Sequence, residues 1–172
     1  MVKLITPFRD KTPNIHPDAF VDRSARVIGD VIIDKGASIW PMSVLRADSA
    51  EILIGTNAAI LDLAMIEAPE TFPVIIEMEA LISHRVVIHG ARVMSGALVG
   101  IGAIILDGAI ISSGSIIGAG SVVLPGVRIP PNSLVTGMPG KIVRETTEGE
   151  RALILAQINE LFTKSRLYKN IT

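Results

Sequence analysis

The sequence contains no cysteine, which excludes disulfides, thiolate zinc sites, iron–sulfur clusters and a cysteine nucleophile together. Any metal must be held by His, Asp or Glu. Aromatic residues make up only 3% of the 172 residues although 49% are hydrophobic, so the interior must be built from Ile, Val, Leu, Ala and Met. An excess of one charge is missing too. Lys and Arg number 16 against 17 Asp and Glu, a net charge of -1, which offers no field for gathering nucleic acid or an anionic membrane. The opening MVKLITPFRDKTPNI has no apolar core between a basic flank and a small-residue cleavage site, so a cytoplasmic protein is expected. No H-E-x-x-H, P-loop or G-x-S-x-G pattern occurs.

One stretch imitates a membrane span, because Asp107 is the only charged residue between Val93 and Val127. Residues 108–127, however, hold five glycines, four serines and Pro125, a poor helix by propensity. Their apolar residues recur at six rather than 3.6. Counting from Ile15, aliphatic residues fall at 15, 21, 27, 33, 39 and 45, then at 54, 60 and 66, then at 76, 82 and 88. A last block runs from Val93 to Val135 in steps of six, and Ile, Val or Leu occupies all twenty positions. Six residues cannot bury a face alone, so each unit must be a short strand and corner whose aliphatic side chain joins a column shared with stacked neighbours. Beyond Thr147 the pattern changes. Ile154, Ile158, Leu161 and Ser165, flanked by Leu155 and Phe162, follow an i, i+4, i+7, i+11 stripe. An amphipathic helix over 147–167 is expected, about 30 Å long and packed on the solenoid. The predicted division is therefore a β-helix domain over 1–146 and a helical tail over 147–172.

The hexads V-I-G-D-V-I-I, S-I-W-P-M-S-V-L-R-A-D, S-H-R-V-V-I-H-G, G-A-I-I-L-D-G-A-I-I and G-M-P-G-K-I-V-R resemble the gamma-class carbonic anhydrase family over residues 14 to about 146. The resemblance implies an all-β solenoid: a left-handed parallel β-helix, triangular in section, with three hexads per coil and about seven coils. It also implies a homotrimer that hydrates CO2 to bicarbonate, with zinc or iron(II) held by three histidines, two from one subunit and one from its neighbour. The family's second and third ligands match His84 and His89, its R-x-D element matches Arg46 and Asp48, and Asp62 matches the aspartate of its N-x-Q-D segment. Three positions depart from the pattern. Glu67 replaces the first ligand histidine, Leu61 the glutamine and Ala59 the asparagine.

The hexad phase breaks in three places, at 45→54, 66→76 and 88→93, and Arg46, Asp48, Asp62, Glu67, His84 and His89 all lie in or beside these breaks. With three hexads per coil, Arg46, Glu67 and His89 each follow a stacked key residue by one and form one column. Asp62 and His84 form a second. Glu67 and His89 can share a metal, which His84 would join from another subunit packed face to face. Glu with two His is a known zinc set and also suits iron(II). The anionic ligand makes bound water less acidic, so altered or weak activity is expected. The alternative for Glu67 is an ion pair with Arg46 in a site without metal. Asp62 is a candidate acceptor that orients His84, and Arg46 and Asp48 are candidate interface residues. Two other functions stay open. Hexapeptide β-helices include acyltransferases that use acyl-CoA and a histidine base, and a trimeric scaffold that has lost the chemistry fits Glu67, Leu61 and Ala59.

Overall fold

A computed structural model of the chain describes residues 4–170. The chain winds as a left-handed parallel β-helix of about seven coils and ends in a single helix. From Val27 to Val135 every key hexad position is at most 3% exposed, while Ile15 and Val21 in the first coil are only partly buried. A second inward position lies two residues before each key residue and is filled mostly by small side chains, among them Ala37, Ala58, Ala80, Ala97, Ala103 and Ala109, with Val31, Ile52, Val74 and Val86 at other hexads. Strand alternation points both positions inward. Ser115 takes the same position with its hydroxyl satisfied, donating to the Pro130 carbonyl at 2.8 Å and accepting from Ser133 N at 3.1 Å.

Three parallel faces result. One stacks Val44–Arg46, Met65–Glu67, Val87–His89, Ile104–Ile105 and Val122–Val123. A second stacks the 52–54 segment, Val74–Ile76, Arg92–Val93, Ile110–Ile111 and Arg128–Ile129. These two faces are one continuous sheet because Arg26–Ile33 and Val44–Ile54 pass the corner between them without breaking. The first hexad phase break is therefore a bulge inside a strand. Its register shifts between Gly29 and Val31, opposite the extra residues after Ala47. The third face stacks Phe20–Val21, Ser38–Ile39, Ala59–Ile60, Leu81–Ile82, Leu98–Val99, Ile116–Ile117 and Ser133–Thr136, and Lys141–Glu145 closes it antiparallel.

The terminal helix, α1 (Glu148–Lys169), covers that third face. Thr147 and Glu150 form a capping box at its start. Its 22 residues span about 33 Å, matching the height of seven coils at about 4.8 Å each. Ile154 and Ile158 are buried against Phe20, Trp40, Ala59, Leu61 and Leu81, with Leu161 packed beside them, whereas Leu155 turns to solvent. At the far end Trp40 packs edge-on against both Phe20 and Tyr168, and Lys169 donates to the Pro17 and Ala19 carbonyls. Among the described residues, no helix is long and apolar enough to cross a membrane.

Candidate functional site

The two histidines sit at opposite ends of one face. Leading into that face, the corner after Ala59–Ile60 and Leu81–Ile82 carries Asp62 and His84. At the far end of its strands stand Arg46, Glu67 and His89, in direct register with one another. His84 lies in the turn before the Val87–His89 strand and His89 at that strand's far end, so the two rings stand at different corners. Among the described residues, no three His, Asp or Glu of the single chain gather closely enough to hold a metal.

At the first corner His84 Nδ1 lies 3.2 Å from Asp62 Oδ2. At the other, Arg46 pairs with both Asp48, at 3.2 Å, and Glu67. The hydrogen bond from the Arg46 guanidinium holds the Glu67 carboxyl below the usual carboxylate range, against a smaller opposing effect of burial. Across from that pair, His89 Nε2 lies 3.8 Å from the same Glu67 oxygen. Its Nδ1 contacts Asp107 of the next coil. The sequence reading missed Asp107. Its signal was present, a lone charge at a corner position within a long uncharged run.

Zinc bonds to nitrogen and oxygen of about 2.0–2.2 Å at the tetrahedral angle set two ligands on one ion about 3.4 Å apart. His89 Nε2 and Glu67 Oε1, at 3.8 Å, stand somewhat wider than that. Among the described residues, His84 and His89 make their close contacts to Asp62 and Asp107 through Nδ1, and neither makes a hydrogen bond through Nε2. Within one chain Glu67 and His89 therefore offer two donors, and two alone do not complete a metal site.

The second phase break, residues 68–73, is a true loop that walls the Glu67–His89 corner. Phe72 lies over Gly90 and Gly108, and a Cβ at Gly108 would come within 3.0 Å of its ring. On the other corner a groove of about 460 Å³ runs between His84 and the helix, lined by Trp40, Leu61, Asp62, Leu161 and Tyr168 among others. Leu61 and Ala59 do not form an open polar layer. Both are buried beneath α1, with Leu61 also reaching the rim of the groove. Apolar residues at 59 and 61 therefore suit the apolar stripe that covers them. His16, the third histidine, accepts from Asp18 N at 3.0 Å and serves a local turn.

No family model matches the chain. A carbonic anhydrase of Geobacillus kaustophilus is 41% identical over 166 residues, 96% of this chain and 91% of that protein. Gamma carbonic anhydrase 2 of Arabidopsis thaliana, a mitochondrial protein, is 39% identical over 147 residues, covering 82% of this chain and 53% of the relative. A crystal structure from Bacillus cereus, provisionally named an acetyltransferase, superposes with a TM-score of 0.96 at 35% identity over 98% of both chains.

Proposed function

The chain belongs to the gamma-class carbonic anhydrase family, and on that premise we propose that it is a homotrimeric, metal-dependent CO2 hydratase of reduced activity, working in the cytoplasm. One observation carries the proposal. His89 and His84 stand at opposite ends of one face, so His84 of a neighbouring copy would complete the set begun by Glu67 and His89. The corner that carries His84 supports the packing of a second copy. Met42, Leu63 and Ile101 project there at 61%, 50% and 48% exposure, and Met42 and Leu63 adopt a left-handed φ.

Zinc or iron(II) in such a site supplies Lewis acidity that makes hydroxide available near neutral pH. Glu67, His89 and the neighbour's equivalent of His84 would hold the ion. Glu67 carries a negative charge where an imidazole would be neutral, and its charge lowers the acidity of the water to be deprotonated. Arg46 offsets part of that charge through its ion pair, and Asp62 anchors the His84 ring. The part of the Glu67 charge that Arg46 leaves uncompensated sets the expectation of slow hydration. Protein purified anaerobically and loaded with zinc or iron(II) should hydrate CO2 above the background rate in a stopped-flow indicator assay. His89→Ala should remove that activity. An intact trimer that retains no metal and hydrates no CO2 would leave a scaffold.

A transferase is the second reading, favoured by the Bacillus cereus neighbour and by relatives and neighbours named as transferases, among them one of Bacillus subtilis and one of Anaplasma phagocytophilum. The groove beside His84 is where an acyl donor would lie, with His84 as base. Calorimetric titration with acetyl-CoA decides it, since saturable binding lost in His84→Ala is expected only of a transferase.

A further inference from the structure

Asp107 has no part in the ligand set, yet it meets the ring that does. Its carboxylate reaches His89 Nδ1 from the coil above, while the carboxylate that meets His84 Nδ1 comes from the coil below. An ionised carboxylate only accepts hydrogen bonds, so a neutral His89 ring in this contact must carry its proton on Nδ1. Nε2 is then the lone-pair nitrogen. That nitrogen faces the Glu67 carboxylate oxygen at 3.8 Å, beyond hydrogen-bond distance, with the Arg46 guanidinium on the same oxygen. The close approach is built into the backbone. Gly90 follows His89 with a φ of +61°, and a Cβ there would lie 3.0 Å from Asp107 Oδ1 and 2.6 Å from Phe72 Cβ.

We infer that Asp107 is a positioning residue that fixes His89 in its Nδ1–H tautomer and aims Nε2 at a divalent cation opposite Glu67. The cation rests on the proposed metal site, whereas the hold on the ring belongs to this chain alone. Outer partners of metal-bound histidines typically contribute 10–100-fold to metal affinity. They do so by orienting the ring and raising its basicity, which a packing residue would not.

The test uses the full-length protein, wild type, Asp107→Leu and Asp107→Asn, with folding checked by the fluorescence of Trp40. Long-range ¹H–¹⁵N spectra of the metal-free protein, taken above pH about 8 where an ordinary imidazole is neutral, read each ring's tautomer. The wild-type His89 ring should be Nδ1–H. Asp107→Leu should shift it towards the Nε2–H form while leaving His84 unchanged, and should weaken Zn(II) binding 10–100-fold in a competition titration. Asp107→Asn, which keeps an acceptor oxygen, should fall between. A wild-type ring that is Nε2–H or doubly protonated overturns the inference, as does a ring or Zn(II) affinity unchanged in Asp107→Leu. A wild-type protein that binds no Zn(II) yet shows the Nδ1–H ring, released in Asp107→Leu, refutes the metal site and upholds the hold of Asp107 on His89.

Discussion

Glu67 answers to two neighbours, and substitutions separate them. Arg46 pairs with the same carboxylate oxygen that faces His89 Nε2, so a carboxylate at 67 serves as an ion-pair partner and as a candidate ligand at once. Glu67→Ala should abolish metal retention, measured by elemental analysis. If metal content is untouched while the trimer weakens, the carboxylate is a partner of Arg46 only. Glu67→His restores the residue type usual in the family and should improve metal retention more than hydration rate. Buried Leu61 and Ala59 explain why the further changes Leu61→Gln and Ala59→Asn would be costly, since each sets an amide beneath the helix. Gly90 limits the same corner in another way. Gly90→Ala forces a Cβ against Phe72 and Asp107 at a left-handed φ, and should lower thermal stability by about 1 kcal/mol or more.

At the scale of elements, α1 is the part most easily tested apart from the solenoid. Its Ile154 and Ile158 cover Phe20, Trp40 and Leu81, so truncation after Arg144 should expose an apolar wall and lower solubility. Thr147→Ala removes the N-cap and should cost about 1 kcal/mol in chemical denaturation. Acid acts on the same end. Glu150, hydrogen-bonded by Arg144 and by the Thr147 backbone, has its pKa lowered to about 2. Because the folded value lies below the unfolded one, its contribution is complete above about pH 4.5 and is lost as pH falls through about 2. Wild type should therefore lose stability relative to Glu150→Gln as pH falls through that window, read by chemical denaturation at a series of pH values. How α1 docks was only half legible in the sequence. The stripe identified Ile154, Ile158 and Leu161 as a buried face, but nothing local said which of three similar faces would receive it. That choice is made by the apolar outward residues at 20, 40, 59, 61 and 81, which strand alternation points away from the solenoid core.

The whole molecule was the most legible because a parallel β-helix repeats one local decision many times. A spacing of six set the strand, the corner and the inward side chain at every coil, and the column from Val27 to Val135 is buried throughout. Breaks in that spacing were less informative. One is a loop and another a bulge within a continuous strand, and both look alike as extra residues in the sequence. Asp107 stood out in the sequence as a lone charge but not as a site residue, because its partner stands 18 residues earlier, a relation that only coil stacking creates. Assembly belongs to this scale as well. The two half-sites require a neighbour, and sedimentation at micromolar concentration should give a trimer, with a stable monomer ruling out any shared site. The most direct measurement is an anomalous difference map from zinc-loaded crystals recorded at the zinc edge. A shared site predicts one peak per subunit, between copies, within about 2.0–2.2 Å of Glu67 and His89 of one chain and His84 of another. Density for the Arg46–Glu67 ion pair with no peak between subunits would contradict it.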